Sequence, residues 1–534
     1  MQTEPSARHR ADIDDDPDAV LGSYRRRLHT VDLPASRAAW VGALALFGLA
    51  LLLRLWGLGS IGELIFDETY YVKDGYTLTQ EGVEMAWPEE PDTAFEAGDV
   101  DTYLEHGTNV VHPPLGKWLI GAGMGVLGAD SAWGWRITVA VLGALSVLLL
   151  ARIGRRLFRS TTLGLIAGGL LAIDGMHLVH SRTSLLDLPL SFFVLAAFGA
   201  LLIDRDRFRE RLAVATARAQ LASETPSALG VSGGWRPWRL LAGLLLGMAC
   251  SVKWSGLYFL AVFGIMTVLW DWWARRTIAQ PRWFRAGLIG DAIPAFFAMV
   301  GTAAVTYVAS WSGWLLGEKG YLRSWVATEQ DGGTGIGVID ALWGLWHYHV
   351  RSFTFHVGLE TEHPYEAHPA GWLLMLRPTN FYYRSYEYGE QGCEVERCAA
   401  HILNLGNPLI WWLGTLAVLV TVLLALRWRD GRGWAALSGI VAGYLPWFVH
   451  ADRTIFTFYA VAFTPWLILC LTYVLGLVIG PRDADDDRRL AGGLFAGSLL
   501  VLIVLVSAFF WPIWTGQVID LDQWRWRIWL PSWT

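Results

Sequence analysis

Charge is scarce in this sequence. Only 17% of its 534 residues are Asp, Glu, Lys or Arg, against 54% hydrophobic. A soluble chain of this length would carry about a quarter charged residues, spread over several domains of ordinary composition. Here the charges lie between long apolar blocks, the pattern of a chain that crosses a membrane repeatedly. No signal peptide is visible. Residues 1–37 are polar, with "RHRADIDDDPD" and then "YRRR", and are expected to form a disordered cytoplasmic tail ahead of an uncleaved first span. No internal repeat is seen, which counts against a transporter built from two related halves. There is no HExxH, and the histidines of "HYHVRSF" lack cysteine partners, so neither a metal nor a cofactor is expected. The net charge of −6 hides strong segregation of the two signs and gives no reason to expect a nucleic-acid partner. Cysteine is limited to four residues. Cys250 and Cys470 fall in apolar blocks as packing residues. Cys393 and Cys398, in "CEVERC", either form a disulfide in an oxidising compartment or remain two thiols.

Tryptophan, in contrast, is abundant, with 31 residues. Its ring suits the membrane–water interface, apolar on one edge and wet on the other. The apolar blocks predict an all-α polytopic membrane protein of about eleven transmembrane helices. These are Ala38–Trp56, Trp133–Leu150, one from Thr161, Leu185–Ile203, two within 238–273, Ala286–Trp311, Gly406–Leu426, Trp434–Val449, Ile455–Gly480 and Leu490–Trp511. Arg25, Arg26 and Arg27 precede the first span, and "ARIGRRLFR", "RRTIAQPRWFR" and "RWRDGRG" fall on the same side. Basic loops face the cytoplasm, so the N-terminus is predicted inside and the C-terminus outside. The chain then divides into the tail 1–37, an N-terminal membrane region 38–311 with a first outer loop 57–132, a large outer loop 312–405, and a C-terminal four-helix region with an outer tail, 406–534. The large outer loop exceeds what a connection requires and so reads as functional.

On this topology every histidine except His9 and His29 lies outside. Arg54, Asp67, Glu68, His112, Lys117, Arg182, Asp187 and Lys253 gather there too, as does the "HADR" of His450, Asp452 and Arg453. Arg54 could simply snorkel from a helix end to the headgroups. Arg182, Asp187 and Lys253 border apolar spans, where a stray charge is costly. Cations beside carboxylates suit an anionic headgroup and a proton to be removed. No charges pair across the middle of the spans, which disfavours an ion path.

The segments "FDETYYVKDGY", "HPPLGKWL", "SRTSLLDLPL", "SVKWSGLYF", "HPYEAHPAGWLLMLRP" and "ILNLGNPLIWW" stand in the order seen in protein O-mannosyltransferases. The chain resembles a bacterial, actinobacterial-type member of that family from about Ala38 to the last span. The resemblance implies the GT-C glycosyltransferase fold. It also implies transfer of mannose, with inversion, from polyprenyl-phosphate-mannose to Ser or Thr of secreted proteins at the outer face of the cell membrane. The secretion translocon is a further implied partner. A lipid or glycan acceptor is the alternative, and a transporter the more distant one. The family's Asp-Glu pair maps onto Asp67 and Glu68, its helix-end arginine onto Arg54, and its R-x-x-x-L-D segment onto Arg182 and Asp187. Eukaryotic members carry a β-trefoil MIR insertion in the large loop. Residues 312–405 are too short for one.

A Ser or Thr hydroxyl needs a base to attack a sugar carbon. Asp67 is the candidate, with Glu68 orienting the acceptor or a cation; the reverse assignment stays open. Arg182 and Lys253 are expected on the donor phosphate, with Arg54 and Lys117 in reserve. His112 and Asp187 would support them. Trp346 and His349, in "LWGLWHYHVRSF", are expected to bind the acceptor.

Overall fold

A computed structural model describes residues 16–534 apart from 31, 32, 35, 224–229, 232, 331 and 482. Among the described residues, seven helices are long and apolar enough to cross a membrane: Arg37–Leu55, Ala132–Phe158, Asp187–Leu221, Gly256–Thr277, Trp283–Ser310, Pro408–Trp428 and Asp486–Thr515. Four shorter apolar helices pack among them: Leu115–Leu127, Thr161–Ile173, Pro237–Val252 and Thr464–Ile479. The chain breaks at Lys253 between Pro237–Val252 and Gly256–Thr277, within the stretch 238–273 read as two spans. Trp283–Ser310 carries two π-helical segments, Leu288–Ala292 and Phe297–Gly301, on either side of Pro294. Proline lacks the amide of a regular turn, and a local change of hydrogen-bond register absorbs the defect.

Two features depart from the expectations. The first is a helix, Pro17–Leu28, inside the stretch expected to be a disordered tail; residues 1–15 of that tail lie outside the described residues. Asp16 caps it, Pro17 opens it, and Val20 and Leu28 are buried. Leu28 packs with Phe208 and Leu212 of Asp187–Leu221, which continues as helix well past its apolar part. One buried stripe is enough to hold a helix whose composition alone reads as solvated.

The second is a sheet in a protein expected to be all-α. Strands β1 (Thr379–Glu387), β2 (Arg397–Asn404) and β3 (Val518–Asp520) pair antiparallel in the order β1-β2-β3. A disulfide between Cys393 and Cys398, Cα atoms 5.8 Å apart, closes the β1–β2 turn. β2 is buried along nearly its whole length, and β1 is exposed toward its far end. Elsewhere loop 312–405 carries the helices Ser312–Leu316, Trp325–Glu329 and Gly337–Val357 and the 3-10 turn Pro369–Leu374, joined by turns and irregular chain.

One close approach sets the geometry of the site. The helix Glu68–Glu81 lies against Leu115–Leu127 with glycines at the contact. A Cβ on Gly75 would sit 2.7 Å from the Lys117 carbonyl, and one on Gly121 only 2.4 Å from that of Gly75. Without side chains the backbones meet. That brings Asp74 of the first helix to Lys117 of the second.

Candidate active site

A cavity of about 1200 Å³ opens beside the start of Glu68–Glu81, with Asp67, Tyr71, Asp74, His112, Lys117, Lys253, His356, Arg453 and Tyr459 in its wall. Asp67, Tyr71 and Asp74 are spaced i, i+4 and i+7, one face of a helix.

Asp67 is aimed by the residue before it. Phe66 holds a left-handed backbone, φ 53°, a conformation that costs a non-glycine residue about 1–2 kcal/mol. Its ring is clamped in compensation, stacked on Phe381 of β1 at 4.7 Å and edge-on to Phe458 at 5.5 Å. The unexpected sheet thus supports the loop that presents Asp67. Tyr71 donates to Asp67 Oδ2 at 3.4 Å. Burial raises the Asp67 carboxyl to about 6, Lys253 opposing the rise. A carboxylate so placed is ionised near neutrality yet basic enough to accept a proton.

Glu68, its neighbour, has no access to the cavity. It is fully buried. Arg136 Nε donates to its Oε1 at 2.8 Å and Arg136 Nη2 to its Oε2 at 2.7 Å. The Ser184 and Ile65 amides donate to the same carboxylate. Arg136 also donates to the carbonyls of Leu58, Ile61 and Glu63. The pair bolts the loop carrying Asp67 to Ala132–Phe158.

The cations separate into two groups. Lys253 faces the cavity, with Nζ 3.0 Å from both oxygens of Asp187 and 4.8 Å from the centre of the Tyr459 ring. Lys117 also lines the cavity and is paired with Glu84 at 2.5 Å and Asp74 at 3.6 Å. Arg54 and Arg182 do not line it. Arg54 donates to the carbonyls of Ala50 and Ala172 and contacts His177 Nδ1 at 3.0 Å. Arg182 donates to the carbonyls of Leu53, Arg54, Trp56 and Gly57, tying down the end of Arg37–Leu55. The Arg182 guanidinium serves carbonyls left open where Arg37–Leu55 stops, whereas Arg54, turned to Ala50, Ala172 and His177, keeps a buried Nε without a partner among the described residues.

His112 is in the wall, its ring 5.1 Å from that of His356. Burial, then Lys253, holds it well below the ordinary histidine range, so it is a neutral hydrogen-bonding group at pH 7. Asp74, not singled out in the sequence, is raised by burial to about 7, with Lys117 opposing. The i, i+7 spacing from Asp67 was the signal for it. Trp346 and His349 are not in the wall. Trp346 is 68% exposed on the outer face of Gly337–Val357. His349 accepts from or donates to Tyr307 Oη at 2.6 Å and stacks on Trp254, which does line the cavity. Phe353, Phe355 and His356 carry that helix into the wall instead.

Two family models match the chain. "Dolichyl-phosphate-mannose-protein mannosyltransferase" covers residues 97–299, and "C-terminal four TMM region of protein-O-mannosyltransferase" covers 342–533. Curated relatives named polyprenol-phosphate-mannose–protein mannosyltransferase include those of Mycobacterium tuberculosis, 36% identical over 91% of this chain and 90% of the relative, and Mycolicibacterium smegmatis, 35% identical over 94% of each. That of Corynebacterium glutamicum is 34% identical over 91% of each. Among solved structures, the fold is similar to that of the Saccharomyces cerevisiae protein O-mannosyltransferase Pmt1–Pmt2 complex bound to the sugar donor. The TM-score is 0.68 at 14% identity, over 97% of this chain and 95% of that one.

Proposed function

The chain belongs to the protein O-mannosyltransferase family, a family of multi-pass membrane glycosyltransferases, and from that premise we propose how its cavity transfers mannose from polyprenyl-phosphate-mannose to a protein hydroxyl. The acceptor Ser or Thr oxygen attacks C1 of mannose opposite the phosphate. The bond from C1 to the phosphate oxygen breaks, and polyprenyl phosphate leaves with the electron pair. Asp67 takes the hydroxyl proton as the new bond forms, with inversion at C1. The observation that carries this reading is the division of labour between adjacent carboxylates: Asp67 lines the cavity, while Glu68 is sealed on Arg136.

Lys253, held in place by Asp187, supplies positive charge for the phosphate, with Lys117, paired to Asp74, also in the cavity wall. Arg54 and Arg182 act as positioning residues that fix the helix end before Asp67. The polyprenyl tail leaves over exposed apolar residues at the mouth, Leu257, Phe353, Val357 and Val449. The cavity opens on the extracytoplasmic side of the cell membrane, with about eleven crossings, the N-terminus inside and the C-terminus outside. Basic Arg155 and Arg156 close the helix whose other end carries Arg136, which supports that orientation. Acceptors are secreted chains, met as they leave the translocon. Purified enzyme incubated with labelled polyprenyl-phosphate-mannose and a Ser/Thr-rich peptide tests the reading. Label must enter the peptide; label entering only lipid or water contradicts it.

A further inference from the structure

Three of the cavity's cations are already neutralised. Lys73 pairs with Asp92, Lys117 with Glu84 and Asp74, and Lys253 with Asp187. Arg453 also lines the cavity, and among the described residues no carboxylate lies within ion-pair distance of it. Its Nε is buried without a hydrogen-bond partner. Its backbone is anchored, the Arg453 amide donating to the His450 carbonyl at 3.4 Å, and the His450 ring contacts Tyr258 Oη at 2.9 Å. The side chain is therefore held at its root and uncommitted at its head.

Only Nε is shielded from water; the rest of the half-buried guanidinium has no hydrogen-bond partner or ion pair among the described residues, so an incoming anion can take it without breaking an existing pair. Its planar fork matches two oxygens of a phosphate. The place fits as well. Val449, four residues before Arg453, is 79% exposed at the apolar mouth. An anion on a lipid chain would enter with its tail over that mouth and its charge just inside. Neither Lys117 nor Lys253 supplies an uncompensated charge there.

We propose that Arg453 joins Lys253 at the phosphate of the lipid-linked donor, docking it at the cavity mouth and holding the leaving group as the sugar departs. This assignment rests on the mannosyl-transfer reading above and adds a residue to it. It gives the "HADR" segment, read in the sequence only as part of the outer polar face, a role in donor recognition.

The test compares wild type, Arg453→Gln, Arg453→Lys and Asp67→Asn with polyprenyl-phosphate-mannose as the varied substrate. Arg453→Gln should raise the donor KM roughly 10- to 100-fold and leave the peptide KM unchanged, with Arg453→Lys recovering much of the loss. Polyprenyl phosphate should inhibit wild type far better than Arg453→Gln, while free polyprenol inhibits both equally. If only inhibition by inorganic phosphate changes, Arg453 binds a soluble anion and the lipid assignment is overturned. An unchanged donor KM in Arg453→Gln, with Asp67→Asn inactive, overturns the Arg453 proposal and leaves the transferase reading standing. No transfer by wild type fails that reading instead. Should Arg453→Gln not fold, phenylglyoxal labelling of wild-type Arg453, followed by mass spectrometry, decides: polyprenyl phosphate must slow the labelling, and an equal rate with and without it contradicts the proposal.

Discussion

Arg136 grips Glu68 with two parallel bonds, 2.8 Å and 2.7 Å, in a pocket where Glu68 has no exposed surface. Removing one partner of a buried pair leaves the other charge uncompensated and typically costs about 3–5 kcal/mol. Glu68→Gln and Arg136→Ala are therefore expected to lower the thermal midpoint of the detergent-purified protein, and to lose activity because the loop presenting Asp67 loosens. Asp67→Asn should leave the midpoint near that of wild type. Melting curves for the three variants check this. A Glu68→Gln protein that melts like wild type and is still inactive would point to direct chemistry at Glu68.

Lys253 and Asp187 form a second coupled pair, with Nζ 3.0 Å from both carboxylate oxygens. Lys253→Ala should weaken donor use, seen as a higher KM for polyprenyl-phosphate-mannose. Asp187→Asn should do so less severely, because the lysine remains but is no longer held. In a double-mutant cycle the two effects must be non-additive. Additive losses would mean that Asp187 serves something other than Lys253.

The Asp67 carboxyl is raised by burial to about 6. A general base works in its ionised form, so turnover should rise with pH through about 6 and level off above it. Asp74, raised to about 7, sits in the same wall. Asp74→Asn separates the two groups: the acid limb near 6 should persist in that variant. Its disappearance would transfer the limb to Asp74.

The membrane character and the loop that carries Asp67 into the cavity wall were legible in the sequence because each rests on a local signal. Apolar blocks separated by basic loops mark spans, and "FDETYY" directly after a span marks a loop that lines the cavity. What the sequence did not disclose depends on long-range pairing. Arg136 lies inside an apolar block, and nothing near it in sequence announces that it will close on Glu68. Arg182 looked like an anion binder because a charge at a helix end is expensive, yet backbone carbonyls satisfy it equally well; Arg54 is buried away from the cavity, against His177. The β1–β2 hairpin does not follow from an apolar-block reading, although "NFYYRSYEY" followed by glycine and a cysteine pair is strand-like. Its buried Phe381 turned out to brace Phe66.

Acceptor binding by the helix Gly337–Val357 should be felt at the end that enters the cavity wall. His356 lines the cavity, its Nε2 2.8 Å from the Val111 carbonyl and its ring stacked with His112. Trp346 faces away, and His349 touches the wall only through Trp254. His356→Ala is expected to raise the peptide KM several-fold more than Trp346→Ala, without increasing hydrolysis of the donor by water. Increased hydrolysis at unchanged peptide KM would make this helix a lid instead.

The central claim is that Asp67 removes the acceptor proton. The most direct measurement is single-turnover mannose transfer by purified Asp67→Asn, with saturating polyprenyl-phosphate-mannose and a Ser/Thr-rich peptide, alongside its donor affinity and melting temperature. The account predicts a rate loss of about 10²–10⁴-fold with donor binding and melting temperature preserved. Turnover within a few-fold of wild type would contradict it.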